Sequence, residues 1–244
     1  MDPYSVVVTS CGRFDLLQKT LSSLLPSLDH PFEKFIIVED SGDPRVHESV
    51  RNFGVDFQIL LNERKLGQIA SIDRAYQQVT TPLIFHCEDD WEFYRSGYLV
   101  QSARLLDLYP DVSMVGLRSR SALNPLMRGA PSQVTEGIPF YFYDPRLHPE
   151  YFSYCFNPGL RRLEDYKRIG PFAPLGHEPD ISYAFKKAGL RMAALEDPAV
   201  RHIGWDRHVE DPFQPARNRT LVQRLRKSAG KRVKRLKRRF GLSA

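Results

Sequence analysis

The residues best suited to chemistry in this chain are three consecutive acids, Glu88, Asp89 and Asp90, in the run HCEDDWEF. They follow a short apolar stretch, PLIFHC, that reads as a buried strand. Neighbouring carboxylates repel one another and favour a bound cation. Oxygen donors suit Mg²⁺ or Mn²⁺, which keep waters and take phosphate oxygens as their remaining ligands. The competing reading is a solvated acidic turn. A second acidic group, Glu178 and Asp180 in GHEPD, stands at a predicted helix start. There Pro179 suits the first helical position and either acid would complement the helix dipole.

These acids need a scaffold, and the pattern before them supplies one. YSVVVT (4–9), FIIVE (35–39), FQILL (57–61) and PLIFHC (82–87) read as buried strands. Between them, 14–28, 46–53 and 67–79 carry helical spacing; in the first, Leu17, Leu21, Leu24, Leu25 and Leu28 share a face. Strands alternating with helices predict an α/β fold with a mostly parallel, doubly wound central sheet flanked by helices. Ligands of such sheets bind beyond the carboxyl ends of the strands, which is where the acid triplet lies. The second half is less regular. Helices are predicted over 96–108, 163–169 and 181–188, and strands over 112–118, 140–143 and 199–203. Gly170 and Gly189 stand where helix C-caps would be.

In order and spacing, VVVTSCGRFDLLQKTLSSLL, FIIVEDSGD, NERKLGQIASIDRAYQQV and LIFHCEDDWEF resemble the GT-A glycosyltransferases, especially the family 2 type. The EDD form of the short acidic DxD motif is similar to that of N-acetylglucosaminyltransferases acting on N-glycans. Further on, FNPGLRRLEDYKRIGPF resembles the acceptor-side segment of that family and GHEPDISYAFKKAGLRM its base-bearing helix. The resemblance spans about residues 4–205. It implies a GT-A (Rossmann-like) fold and inverting transfer from a nucleotide sugar, UDP-linked by the likeness, with Mn²⁺ or Mg²⁺ as cofactor.

Carried over residue by residue, the resemblance puts Thr9, Ser10 and Arg13 around the nucleotide. Glu39 and Asp40 would grip base and ribose, with Asp40 against the base; the alternative for Asp40 is a turn cap. Gly67 and Gln68 would offer a helix N-terminus to the diphosphate. Arg74 would reach the diphosphate or pair with Asp73. Asp90 would touch the metal, Asp89 the ribose or a metal-bound water, and Glu88 would position the group. Trp91 would stack on the sugar or pack in the core. Glu178 aligns with the expected base, although the family has Asp there, and Asp180 is the other candidate. His202 would be a further metal ligand or a structural residue. Residues 1–95 would form the donor half, 96–211 the acceptor half of the same domain, and 212–244 a basic amphipathic tail.

Charge separates that tail from the body. Twelve of the 35 Lys/Arg and none of the 29 Asp/Glu lie from Arg217 onward, so the rest of the chain is mildly acidic under an overall net charge of +6. Leu221, Leu225, Ala229, Val233, Leu236 and Phe240 recur at spacings of four and three. Such a helix over 217–240 suits an anionic membrane surface. Nucleic acid is disfavoured as partner because stacking aromatics are nearly absent there; a plain solubilising tail is the bland alternative. Three scattered cysteines form no disulfide or zinc pattern and fit a reducing compartment. No secretory leader pattern opens the chain, and no apolar run would span a bilayer. The expected location is cytoplasmic, peripheral on the inner face of a membrane, with a glycan or lipid-linked acceptor. Two rival readings are a sugar-phosphate nucleotidyltransferase, for which TSCGRFD is a poor Gly-rich loop, and a non-catalytic membrane or nucleic-acid adaptor that keeps the fold.

Overall fold

The computed structural model of the chain describes residues 1–207, 209, 230 and 232–238. A nine-stranded sheet forms its centre. In chain order the elements are β1 (Tyr4–Ser10), α1 (Phe14–Ser27), β2 (Lys34–Glu39), α2 (Arg45–Val50), β3 (Phe57–Leu61), α3 (Gln68–Tyr76), β4 (Leu83–Glu88), β5 (Trp91–Phe93), α4 (Tyr98–Leu108) and β6 (Val112–Gly116). Then come α5 (Pro125–Arg128), β7 (Gln133–Thr135), β8 (Ile138–Phe142), β9 (Gly159–Arg162), α6 (Leu163–Ile169), α7 (Glu178–Lys187), β10 (Arg191–Leu195) and β11 (Val200–His202). The strand order is β3-β2-β1-β4-β9-β6-β10-β8-β7, and β11 pairs with β5 in a separate two-stranded ribbon.

β3, β2, β1 and β4 run parallel, and β6 and β10 are parallel to each other. β9 is antiparallel to both β4 and β6, so β6 and β10 share the direction of the first four strands. The sheet is therefore mostly parallel, as predicted. Because β9 runs backwards, its start lies at the same edge as the carboxyl ends of the parallel strands.

Alternation along the strands feeds two cores. Val6 and Val8 of β1 pack with Leu17, Leu21 and Leu24 of α1 and with Tyr98, Leu99 and Leu106 of α4. Val7, facing the other way, joins Ile72 and Tyr76 of α3, Tyr166 of α6 and Phe185 of α7. With helices covering both faces, central strands must be apolar throughout; β1 is buried at all seven positions. The predicted strand 199–203 is shorter and lies in the ribbon with β5, outside the main sheet. Gly189 does take the left-handed backbone past α7 (φ 78°), whereas Gly170 ends α6 at φ −80°.

Candidate active site

β4 ends in Glu88, and the turn Asp89–Asp90 leads into β5. The three acids point to different partners. Asp89 is buried: Ser10 Oγ and the Cys11 N–H donate to its Oδ2 at 3.2 and 3.4 Å, and the Arg13 guanidinium is paired with its Oδ1. Arg13 Nη1 also lies 2.8 Å from Asp90 Oδ2. Burial pushes the Asp89 carboxyl up to about 6 against the pull of Arg13, with Asp90 adding to the rise. Glu88 accepts from Gln68 Nε2 at 3.2 Å and from the Trp91 indole N–H at 2.7 Å. Burial, then the neighbouring Asp90, pushes it up to about 8. Trp91 itself is buried, which favours packing over an open sugar platform.

The ribbon brings His202 to this turn. β11 pairs His202 with Trp91, and Asp90 Oδ2 lies 3.3 Å from His202 Nε2. The imidazole is held edge-on between Trp91 and Trp205, with ring centroids 4.9 and 4.5 Å away. Burial lowers its pKa, opposed by Asp90; a neutral imidazole is the form that ligates metals. Its buried Nδ1 has no partner. Gly204 packs against the same carboxylate: a Cβ there would lie 2.5 Å from Asp90 Oδ2. Among the described residues no group of three or more His, Cys, Asp or Glu could hold a metal unaided. One carboxylate and one imidazole fit a divalent ion whose remaining positions go to water and substrate phosphate.

The first two βα loops are tied together by the acids of β2. Glu39 is fully buried, and its Oε1 accepts from the N–H groups of Gly12 and Ser41, each at 2.8 Å, while its Oε2 is buried without a partner. Asp40 accepts from Asn62 Nδ2 and the Leu66 N–H, both at 2.7 Å, and from the Gly67 N–H at 2.8 Å. Those bonds shape the loop that opens α3, where Gly67 takes a φ of 86°. Thr9 lies within β1, in register with Val38 and Glu88. Arg74 does not pair with Asp73. It turns back to the Leu61 carbonyl at 2.8 Å and to Asn62 Oδ1. Asp73 instead accepts from the N–H groups of Phe172 and Ala173, joining α3 to the segment before α7.

The two candidate bases part company. Glu178 opens α7, and the Phe156 N–H approaches its Oε2 at 3.5 Å. Burial raises its pKa, opposed by that N–H, Arg118 and Arg161; Glu88 lies close enough for the two acids to feel each other. Asp180 is engaged elsewhere. Its Oδ2 accepts from the His177 N–H at 3.2 Å in a capping box, and its Oδ1 is paired with Lys234 and Arg238. Burial opposes ionisation there, but the two cations hold the carboxyl below its usual range.

Lys234 and Arg238 belong to a helical stretch over 232–238. Arg235 and Arg238 also bind Glu150, at 3.1 and 2.8 Å, and Arg238 stacks 4.4 Å from the Tyr183 ring centroid. This stretch meets the body through its basic face and leaves Val233 and Leu236 exposed. The other predicted tail apolar positions, Leu221, Leu225, Ala229 and Phe240, lie outside the described residues.

Ser10, Arg13, Asp89, Asp90 and His202 thus form one contiguous group, joined through Gln68 and Glu88 to the start of α3. Asp40, Gly67 and Arg74 form a second group around Asn62. Two residues in this region were not anticipated. Arg118, just past β6, stacks 5.4 Å over Trp91 and donates to Asn157 Oδ1 at 3.4 Å. Arg161 of β9 is buried beneath the site. The position of Arg118 at the end of a predicted strand could have flagged it. Nothing in LRR marked Arg161 as interior.

Residues 5–170 match the family described as glycosyl transferase family 2. No curated protein matches by sequence. Among solved structures, a mannosyltransferase from Pyrobaculum calidifontis in complex with GDP-Man and Mn²⁺ is similar at TM-score 0.60 and 14% identity, over 81% of this chain and 55% of that one. GalNAc-T7 with UDP, GalNAc and Mn²⁺ is similar at TM-score 0.60 and 14% identity, over 83% and 44%. Glucosyl-3-phosphoglycerate synthase from Mycobacterium tuberculosis, in complex with Mn²⁺, UDP and glucosyl-3-phosphoglycerate, is similar at TM-score 0.56 and 12% identity, over 100% and 81%. The chain therefore spans about half the length of the first two. It has the GT-A fold in its mostly parallel sheet, and with more than half its length matched it belongs to glycosyl transferase family 2.

Proposed function

We propose that this protein is a metal-dependent inverting glycosyltransferase that moves a sugar from a nucleotide sugar, UDP-linked as the first choice, to a glycan or lipid-linked acceptor. The observation that carries the reading is the Asp90–His202 pair at the carboxyl edge of the sheet, in a family 2 chain with Glu178 nearby. Asp90 and His202 would hold Mn²⁺ or Mg²⁺, which when bound offsets charge on the diphosphate. Arg13, freed from the two aspartates by the ion, would turn to phosphate or ribose. Ser10, Thr9, Asp89 and Gln68 would line the nucleotide, and the Gly67 turn would present the start of α3 to the diphosphate. Glu39 and Asp40 would shape the base and ribose pocket through the loops they hold. Residues 1–95 would then be the donor half and 96–211 the acceptor half.

Glu178 rather than Asp180 would be the base, because Asp180 is spent on the helix cap and the tail. The acceptor hydroxyl oxygen bonds to the anomeric carbon and its proton passes to Glu178. The bond from that carbon to phosphate breaks, and its electron pair leaves with the nucleoside diphosphate. No helix among the described residues is long and apolar enough to cross a membrane. The tail would instead lie on an anionic bilayer, with Val233 and Leu236 outward and the acceptor approaching from that side at the cytoplasmic face. The donor assignment is tested by a thermal-shift panel of nucleotide sugars with and without Mn²⁺. A UDP-sugar shift that needs Mn²⁺ supports it; no shift with any nucleotide sugar rejects it.

A further inference from the structure

Arg161 is the largest fully buried side chain in the described structure, at 1% exposure. Burying a guanidinium is costly unless its charge is answered, and here the direct partners carry no charge. Nη1 donates to the Tyr154 hydroxyl and the Cys155 carbonyl, both at 3.2 Å, and Nη2 to the Asn157 carbonyl at 2.9 Å. Nε is buried with no partner. The neighbours beneath it are rings: Tyr76 and Phe156 flank the fully buried His86, which burial, reinforced by Arg161, keeps neutral.

The three donated bonds fix the loop 154–157 that enters β9. That loop supplies the Phe156 N–H to Glu178 and the Asn157 oxygen to Arg118. β9 is pressed so tightly against β6 that a Cβ on Gly159 would lie 2.3 Å from the Val115 carbonyl oxygen. The loop therefore leads into a strand packed closely on β6, and Arg161 ties it down from inside. The groups that face Glu178 come from several elements. Glu88 comes from β4, Arg118 from beyond β6, and Tyr151, Cys155 and the Phe156 N–H from the segment before β9. Asp180 and His177 share its helix start, and Arg161 lies beneath. Glu88 opposes a second negative charge. Arg118 and Arg161 are the cations that favour it, and only Arg161 is sealed from water.

We propose that Arg161 is the positioning residue for the base: its buried fork of hydrogen bonds orders the 154–157 loop, whose Phe156 N–H meets Glu178. This rests on Glu178 being the base. A charge acting through the interior is weakly screened, and removing a cation near a carboxylate raises the carboxyl pKa by about one unit or more.

The test is the pH profile of kcat/KM in the full-length enzyme. Glu178→Gln comes first. If it retains the acidic limb, the base assignment fails and this inference with it. If it abolishes the limb, Arg161→Met is expected to move the limb to higher pH by about one unit. It should also lower kcat at neutral pH about tenfold, with KM for the nucleotide sugar unchanged. Arg161→Lys, which keeps a charge but loses the fork, is expected to lower kcat while holding the limb closer to the wild-type position. Arg161→Gln, which keeps an N–H donor for the loop carbonyls, reads the same limb if Arg161→Met does not fold. A limb at the wild-type pH in the uncharged variants would overturn the inference, leaving Arg161 a packing residue only.

Discussion

Replacing Asp40 by Asn separates a structural role from nucleotide contact. Both carboxylate oxygens are occupied, Oδ1 by Asn62 Nδ2 and the Leu66 N–H, Oδ2 by the Gly67 N–H, at 2.7 to 2.8 Å. An amide can present its oxygen to one side only. The cheaper orientation keeps the two bonds at Oδ1 and sets an NH₂ group against the Gly67 N–H. One buried donor is then unsatisfied, at about 1–3 kcal/mol, and the two surviving bonds lose their charge assistance, at about 1 kcal/mol each. Asp40→Asn is therefore expected to destabilise the fold by about 3–5 kcal/mol, read from urea denaturation. Nucleotide affinity should fall as well, because the Gly67 turn that opens α3 is loosened. A variant with wild-type stability and lost nucleotide binding would refute this reasoning and make Asp40 a direct base contact.

Three further perturbations probe the rest of the site. Gly204→Ala drives a Cβ to within 2.5 Å of Asp90 Oδ2 and 2.6 Å of its Cβ; it is expected to cut Mn²⁺-dependent turnover about 100-fold and to cost about 1–3 kcal/mol of stability, and unchanged turnover would count against Asp90 as ligand. Asp89 is pushed up to about 6 from 3.8, chiefly by burial, so the folded chain holds that proton to higher pH than the unfolded one. With Glu88 likewise pushed up to about 8, stability should fall as pH rises from about 4 to about 8, and Arg13→Met should carry the Asp89 part of the fall to higher pH; thermal melts across pH without metal check both. Arg238 is 6% exposed between Glu150 and Asp180, so Arg238→Ala should speed tryptic cleavage of the tail with little change in the body's Tm, and an unchanged rate would deny the clamp.

The first ninety residues were legible because strands buried on both faces appear as short apolar runs, and each of β1 to β4 lies within about a residue of its predicted limits. Beyond residue 90, β6, β8 and β11 were anticipated, but other strands were hidden for identifiable reasons. β9 reads GLRR, two bases where a central strand ought to be apolar; Arg161 hydrogen-bonds inward and Arg162 reaches the Val112 and Leu106 carbonyls. β10 reads RMAAL, whose Ala pair suits a helix better than a strand. β5 has three residues and gains its partner only from β11, more than a hundred residues away. The same distance separates Asp90 from His202, which the family resemblance, and no local pattern, put at one metal. Likewise, nothing local in GHEPD said that Asp180 would be drawn off by Lys234 and Arg238, which arrive from the far end of the chain.

The most direct measurement is release of nucleoside diphosphate from UDP- and GDP-sugars, with acceptor extracts, after chelation and after Mn²⁺ is added back. Wild-type protein is expected to turn over at least one nucleotide sugar only with the ion present, and Asp90→Asn to lose that activity while keeping the wild-type fold. Undiminished turnover by Asp90→Asn, or equal turnover in chelator, would contradict a metal-dependent glycosyl transfer centred on Asp90.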